Sequence, residues 1–312
     1  MTSPFIEGTN VQYAWDSTSL GWFKECPRKY YYHMVRGLIG RGEAVHLEFG
    51  ILYHGALEHF DKLKFKGASH DEAVHGAVDW TLKATWRDGK PWRASKNLAA
   101  EDRTSLKCRE NLIRTIIWYM DKFKNDPAKT KALPNGEPMV ELNFKFEVPF
   151  GRTLDRPYVL CGYLDRVVTF QDADFVMDRK TTTQTLSSYY YEQYDPDNQM
   201  SFYTVAAQVA FHTPVRGVIV DAAQIAVGFS RFGRSFASRT RDQVDEWIKD
   251  TGMWFRQAEI FADKGYWPMN DKSCHKYGGC PFIPVCTKSN VIREKFIESN
   301  YDVRAWNPLI PR

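Results

Sequence analysis

The spacing of apolar residues changes near residue 130, and with it the kind of structure the chain predicts. From residue 17 to about 125, apolar positions recur at helical intervals. Ser17 or Ser19 is placed to cap a first helix, which Pro27 then restricts. The run HLEFGILYHGALEHFDKL predicts a second helix, with Leu47, Ile51 and Leu57 on its apolar stripe. DEAVHGAVDWTLKATWR and SLKCRENLIRTIIWYMDKF predict two more, and Lys129 to Pro138, ending in ALPNGEP, reads as a connector. Beyond it the period falls to two. Val140, Leu142, Phe144, Phe146 and Val148 alternate with polar residues, as in a strand with one buried face. YVLCGYL and DFVM, separated by the turn signal QDAD, predict an antiparallel hairpin. NQMSFYTVAAQVAF reads as a helix, VRGVIVDAAQIAV as a strand, and DQVDEWIKDTGMWFRQAEIFADKG as a long helix. The expectation is a helical N-terminal region over 1–130, an α/β core over 131–270, and a cysteine-rich loop and tail over 271–312.

Composition narrows the class. With 312 residues and 43% apolar side chains the chain can bury a sizeable core and is not mainly disordered. No apolar run approaches a membrane span, so a membrane partner is not expected. The opening MTSPFIEGTNVQYAW lacks the basic and apolar regions of a secretory signal, which predicts a cytoplasmic protein, in the host cytoplasm if phage-encoded. A net charge of +4, from 42 basic and 38 acidic residues, does not by itself argue for nucleic acid. Local charge says more: SRFGRSFASRTR reads as a loop that places Arg231, Arg234, Arg239 and Arg241 around Phe232 and Phe236, the mixture that contacts phosphates and stacks bases. The alternative is a solvated surface segment. Trp86 to Lys96, with Arg87, Lys90 and Arg93, is a weaker patch.

Two features carry candidate chemistry. Asp165 closes one apolar run and Asp178-Arg179-Lys180 the next, so a hairpin can bring two carboxylates to one spot. Paired acids invite Mg²⁺ or Mn²⁺, and a neighbouring lysine can set its charge on a phosphate, which points to metal-assisted phosphodiester hydrolysis. Aspartates at strand ends are otherwise ordinary turn residues. The second feature is Cys274, Cys280 and Cys286 in CHKYGGCPFIPVC, with Cys26 as a fourth thiolate. Four thiolates suit either Zn²⁺ or an iron–sulfur cluster, with disulfides the weaker alternative in a reducing compartment. Cys108 and Cys161 lie in apolar patterns and read as buried thiols.

In this order the motifs resemble the RecB-like branch of the PD-(D/E)xK nucleases, the iron–sulfur members typified by the AddB nuclease domain, the CRISPR adaptation nucleases and phage exonucleases. The resemblance covers residues 17 to 286. GILYH, with Gly50 and His54, is similar to the helical histidine motif; GYLDR carries Asp165, DRK carries Asp178 and Lys180, and QMSFY carries Gln199 and Tyr203. The resemblance implies a restriction-endonuclease-like mixed sheet core flanked by helices. It implies His54, Asp165, Asp178 and the Arg179 carbonyl as metal ligands, Lys180 as the group that activates water and stabilises the phosphate, and Gln199 and Tyr203 as its supports. It also implies a 4Fe-4S cluster on the four cysteines. Glu141, preceding the site hairpin, is placed to act through water or through a hydrogen bond to a metal ligand, and Glu58 reads as a surface charge. The function implied is a metal-dependent DNA exonuclease acting on single strands or ends in recombination, repair or phage DNA processing. No G-x-x-x-x-G-K-[ST] loop occurs, so translocation would fall to a helicase or recombination partner. The alternative is a non-catalytic nucleic-acid-binding or assembly protein. A zinc-stapled protein unrelated to DNA leaves the hairpin acids and QMSFY unexplained.

Overall fold

The structure is a computed structural model that describes residues 3–41, 45–92, 106–148, 150, 157–226, 228–276 and 279–310. Along the chain, β1 (Ala14–Trp15), α1 (Ser17–Glu25), α2 (Pro27–Tyr30), a π-helical turn (Tyr31–Val35) and β2 (Leu38–Gly40) are followed by α3 (Val45–Phe65) and α4 (His70–Ala84). The short pair β3 (Trp86–Arg87) and β4 (Lys90–Pro91) precedes α5 (Arg109–Lys122). Then come β5 (Lys129–Thr130), β6 (Val140–Val148), β7 (Tyr158–Phe170), β8 (Ala173–Thr182), α6 (Ser188–Glu192), α7 (Asn198–Ala210), β9 (Gly217–Ile225) and β10 (Ser230–Ser238). The chain ends with α8 (Arg241–Lys264), α9 (Ile283–Cys286), α10 (Asn290–Asn300) and β11 (Tyr301–Val303). Two compact units result. One comprises Met1–Gly42, Asn143–Gly162 and Arg241–Arg312, the other Glu43–Leu142 and Tyr163–Thr240.

In the second unit β8 lies between β7 and β9, and β10 follows β9. β7 and β8 are antiparallel, β8 and β9 parallel, and β9 and β10 antiparallel, so the sheet is mixed. The β7–β8 hairpin closes through Gln171 and Asp172, both at positive φ, between the paired residues Phe170 and Ala173. Left-handed backbone at both central residues is the turn whose twist matches that of paired strands, and Asp accepts it more readily than most residues. α3 and α5 pack on β8 and on β9–β10, and α7 packs on β8 and β9. The core beneath α3 and α5 is built from Phe49, Leu52, Tyr53, Ala56, Leu57 and Phe60, with Leu112, Ile116, Tyr119 and Met120. α4 lies close against α3 because Gly55 carries no side chain: a Cβ there would meet the Trp80 ring at 2.3 Å. Its start is fixed by a capping box between Ser69 and Glu72. The apolar stripe expected of α3 is only partly right. Leu57 is buried, but Leu47 and Ile51 are each 57% exposed, and the burying face runs through Phe49, Leu52, Tyr53, Ala56 and Phe60.

In the first unit the N-cap of α1 is Asp16, whose side chain accepts from the Ser19 N–H, while Ser19 Oγ accepts the Asp16 N–H to complete a capping box. Trp15 stacks between Tyr30 and Phe255, with Phe23 edge-on, which seats α1 and α2 on α8. The α8 residues Val244, Trp247, Thr251, Phe255 and Ala258 are spaced three and four apart and form its buried stripe.

The cysteine segment corrects the sequence reading. Among the described residues there is no open cysteine-rich cluster loop: a 3₁₀ turn at Asp271–Ser273, α9, α10 and β11 occupy this stretch, and β11 pairs with β2. Among them, too, the one set of three or more His, Cys, Asp or Glu ligand atoms lying within 4.8 Å of one another contains no cysteine. All six cysteines are free thiols. The expected four-cysteine cluster, iron–sulfur or zinc, is therefore not supported. The Cys26 Sγ accepts the Asn270 N–H at 3.3 Å, while Cys280 and Cys286 pack on the cluster of Tyr32, Phe282, Val285, Ile297 and Tyr301. Burial pushes the thiols of Cys280 and Cys286 above their ordinary pKa, which favours neutral SH groups that behave as small apolar side chains. Cys161 is buried as expected, and Cys108 is half-buried at the start of α5.

Candidate active site

Asp165 and Asp178 lie one residue beyond the paired Arg166 and Met177, so the hairpin register brings both carboxylates to the same end of β7 and β8. The Arg179 N–H donates to Asp165 Oδ2 at 2.9 Å, and His54 Nδ1, from α3, lies 3.2 Å from the same oxygen. Glu141, at the start of β6, completes the group: His54, Glu141 and Asp165 each offer a ligand atom within 4.8 Å of the others. Glu141 has φ +51°, a left-handed conformation that a glutamate enters at a cost of roughly 1–3 kcal/mol. One imidazole nitrogen and two carboxylates form a donor set suited to a divalent cation, and their convergence on strained backbone fits that purpose. Asp178 does not join the three. Lys180 Nζ lies 2.6 Å from Asp178 Oδ2 and donates to Gln199 Oε1 at 2.6 Å, and Gln199 Nε2 donates to the Tyr203 hydroxyl at 3.0 Å. Gln199 and Tyr203 sit one turn apart on α7, whose N-cap Asp197 accepts the N–H groups of Gln199 and Met200 and so fixes the turn that reaches Lys180.

The two aspartates have opposite electrostatics. Burial would raise Asp165, but the His54 charge, the bonds from His54 and the Arg179 N–H, and Lys180 hold it well below the usual carboxylate range. Burial pushes Asp178 up to about 6 against the pull of Lys180, with the Asp165 charge adding to the rise. Burial disfavours charge on His54 and on Lys180 as well, yet Asp165 lifts His54 and Asp178 lifts Lys180 above their ordinary values. Titratable groups driven apart in this way characterise acid–base sites.

Below the site lies a buried ion network that the sequence did not reveal. Arg179, between Asp178 and Lys180, turns its guanidinium to Asp61 of α3 at 2.6 Å. Arg166 lies 3.5 Å from Asp61 and 3.8 Å from Asp126; Asp126 pairs with Arg234 at 2.7 Å, and Arg234 lies 3.2 Å from Asp221, which accepts from the Tyr119 hydroxyl. Asp61 follows His54 by seven residues, two turns along one helix face; that spacing is the only signal that could have found it. Lys107 is a second unexpected group, 3% exposed, with Nζ donating to Thr181 Oγ1 at 2.8 Å. Burial pushes it down to about 8 from an ordinary 10.5. Between those values the unfolded chain holds the proton more tightly than the folded protein, so this group makes stability rise with pH from about 8 to 10.5. The gain is on the order of 3 kcal/mol. Thermal melts of wild type and Lys107→Met across that window should show the difference between them change by such an amount; a constant difference would refute it.

The expected DNA-binding loop is strand β10 instead, and its side chains alternate. Phe232 packs edge-on against Tyr119 and beside Phe123, Arg234 is spent on Asp126 and Asp221, and Arg239 is held by Asp195 and Ser201. Phe236 is exposed but rests on Phe170 and Phe175. Arg231 is exposed over Phe229 with no acidic partner among the described residues. Interleaved arginine and phenylalanine here reflect strand alternation against α5, which buries Phe232 and Arg234 on one side. In the weaker patch Arg87 pairs with Glu48; Arg93 and Lys96 lie outside the described residues. Glu58 is paired with Lys62 at 2.5 Å.

No helix among the described residues is long and apolar enough to cross a membrane. Comparison with curated proteins finds no match. A solved structure titled "Crystal structure of SSO0001" aligns over 77% of this chain and 76% of its own at 11% identity, with a TM-score of 0.29, a likeness on which nothing here rests. The family comparison is decisive. Residues 17–287, which hold every residue of the site just described, match the PD-(D/E)XK nuclease superfamily, and the chain belongs to it.

Proposed function

We propose that this protein is a divalent-metal-dependent deoxyribonuclease, an exonuclease that hydrolyses phosphodiester bonds in single-stranded DNA or at DNA ends. The observation that carries the reading is the convergence of His54, Glu141 and Asp165 beside Lys180. A bound Mg²⁺ or Mn²⁺ supplies Lewis acidity toward a phosphoryl oxygen and a more acidic water. His54, Glu141 and Asp165 would hold the ion, and Asp178 and the Arg179 carbonyl would offer further oxygen donors. Lys180, steadied by Gln199 and Asp178, keeps its ammonium where negative charge grows on the phosphate. The intact set of Asp165, Asp178 and Lys180 disfavours a purely assembly role. A helicase or recombination partner supplies strand separation, and the reaction serves recombination, repair or phage DNA processing.

End-labelled single- and double-stranded DNA should be degraded from its ends in Mg²⁺ or Mn²⁺, with no cleavage in EDTA and recovery on adding back the ion. Circular single strands should resist. Cleavage that persists at full rate in EDTA removes the metal-dependent reading, and rapid cutting of circles removes the exonuclease one.

A further inference from the structure

The other lysine and arginine side chains that are fully buried among the described residues, Arg166 and Arg179, have anions. Arg179 has Asp61, Arg166 has Asp61 and Asp126, Arg234 has Asp126 and Asp221, and Lys180 has Asp178. Lys107 differs: its Nζ donates to Thr181 Oγ1 and sits 4.5 Å over the Phe49 ring, and no carboxylate among the described residues comes within ion-pair distance. An ammonium has three protons to donate, and a neutral hydroxyl and a ring face leave it short of the counter-charge a buried cation ordinarily needs. Burial is what depresses the pKa of this lysine.

Its position suggests what the missing anion is. Thr181 directly follows Lys180 on β8, and Phe49 precedes His54 by little more than one turn of α3. Gly50 lies against Thr181: a Cβ at Gly50 would be 4.0 Å from Thr181 Oγ1 and would meet nothing nearer. Thr181 and Gly50, the residues beside the ammonium, are both half-buried and so remain in part open to solvent. Phe49, over whose ring the ammonium sits, is five residues from His54, a rise of about 7–8 Å along α3, which is on the scale of the step between neighbouring phosphates on a nucleic-acid strand.

We propose that Lys107 and Thr181 form a phosphate-binding subsite beside the cation cluster, in which the Lys107 ammonium takes a non-bridging oxygen of the DNA phosphate adjacent to the one being cleaved. This rests on the nuclease reading. The subsite sets the register of the strand, so that the scissile phosphate falls on His54, Glu141 and Asp165, and it supplies sequence-independent affinity.

The test is binding of a fluorescent single-stranded 20-mer in Ca²⁺, used to suspend cleavage, from 50 to 300 mM salt, with cleavage in Mg²⁺ measured alongside. Lys107→Met should bind at least about tenfold more weakly at low salt, with the slope of log affinity against log salt shallower by about 0.7, the loss of one phosphate contact on a single strand. Its melting temperature should be unchanged or higher, because a buried charge is replaced by an apolar chain of similar length. Lys107→Arg should keep most of the affinity, and Thr181→Val should lose part of it. Should Lys107→Met fail to fold, the arginine and valine variants decide the matter by the same slopes. Wild-type affinity and slope in Lys107→Met, or in Thr181→Val where that variant must decide, would overturn the subsite and leave Lys107 as a structural cation. Wild-type protein that binds the oligonucleotide but never cleaves DNA in Mg²⁺ or Mn²⁺ would remove the nuclease reading and leave the subsite to be judged by the binding comparison. Wild-type protein that binds no DNA would overturn both.

Discussion

Lys180→Ala should reduce DNA cleavage by roughly 10²–10³-fold, the scale of removing one aligned donor from a developing negative charge. Three observations support so large an effect. Lys180 lies on the strand that carries Asp178, its ammonium is fixed by Asp178 and Gln199, and Tyr203 braces Gln199 in turn. Asp165→Asn should cost at least as much and by another route: it removes the charge that His54 and the Arg179 N–H converge on, and weakens cation binding itself. Single-turnover cleavage and Mn²⁺ titration calorimetry separate the two. Lys180→Ala should keep its Mn²⁺ affinity and lose rate, whereas Asp165→Asn should lose both. Wild-type rates in Lys180→Ala would remove this lysine from the chemistry.

The second large effect falls on stability. Asp61→Ala leaves the buried Arg179 guanidinium without its closest anion and strips Arg166 of one of its two, so it should destabilise the protein by about 3–5 kcal/mol. Uncompensated buried charge accounts for most of that figure, and replacing both partners by apolar residues, as in Asp61→Leu with Arg179→Met, should recover much of it. Urea unfolding of the three proteins checks this. A single variant within about 0.5 kcal/mol of wild type would mean that water reaches Arg179 and that the network is not closed. The pair also joins the helix bearing His54 to the strand bearing Asp178 and Lys180, so residual activity in Asp61→Ala should show weaker Mn²⁺ affinity besides lower stability.

Much of this site could be read before any fold was known. Asp165, Asp178 and Lys180 stand at the ends of short apolar runs joined by a two-residue turn, and that local pattern already implies strands in register. Gln199 and Tyr203 were legible through the resemblance of QMSFY to a family motif, and their four-residue spacing puts them on one face of α7. Glu141 stood in view only as a flanking acid, because its part depends on a left-handed backbone angle that no residue type announces. Asp61 and Lys107 were illegible for a related reason: each matters through partners far away in the chain, Arg179 and Thr181, and their own neighbours look like ordinary helical sequence.

The cysteines show the opposite error, and the arginine-rich segment is a strand where the sequence reads as a loop. Four cysteines and a run of alternating arginine and phenylalanine carry strong chemical associations, yet in the folded protein Cys280 and Cys286 pack among aromatic rings, and Arg234 and Arg239 are paired with acids. By itself the sequence determined most of the helices and core strands, the hairpin register and the motif order, because periodicity, turn residues and capping act over a few neighbouring positions. Only the tertiary structure decided which charges face one another and that Cys280 and Cys286 pack among aromatic rings. Those outcomes depend on distances between residues tens to hundreds of positions apart, and on burial, which turns small differences in position into large differences in electrostatic energy.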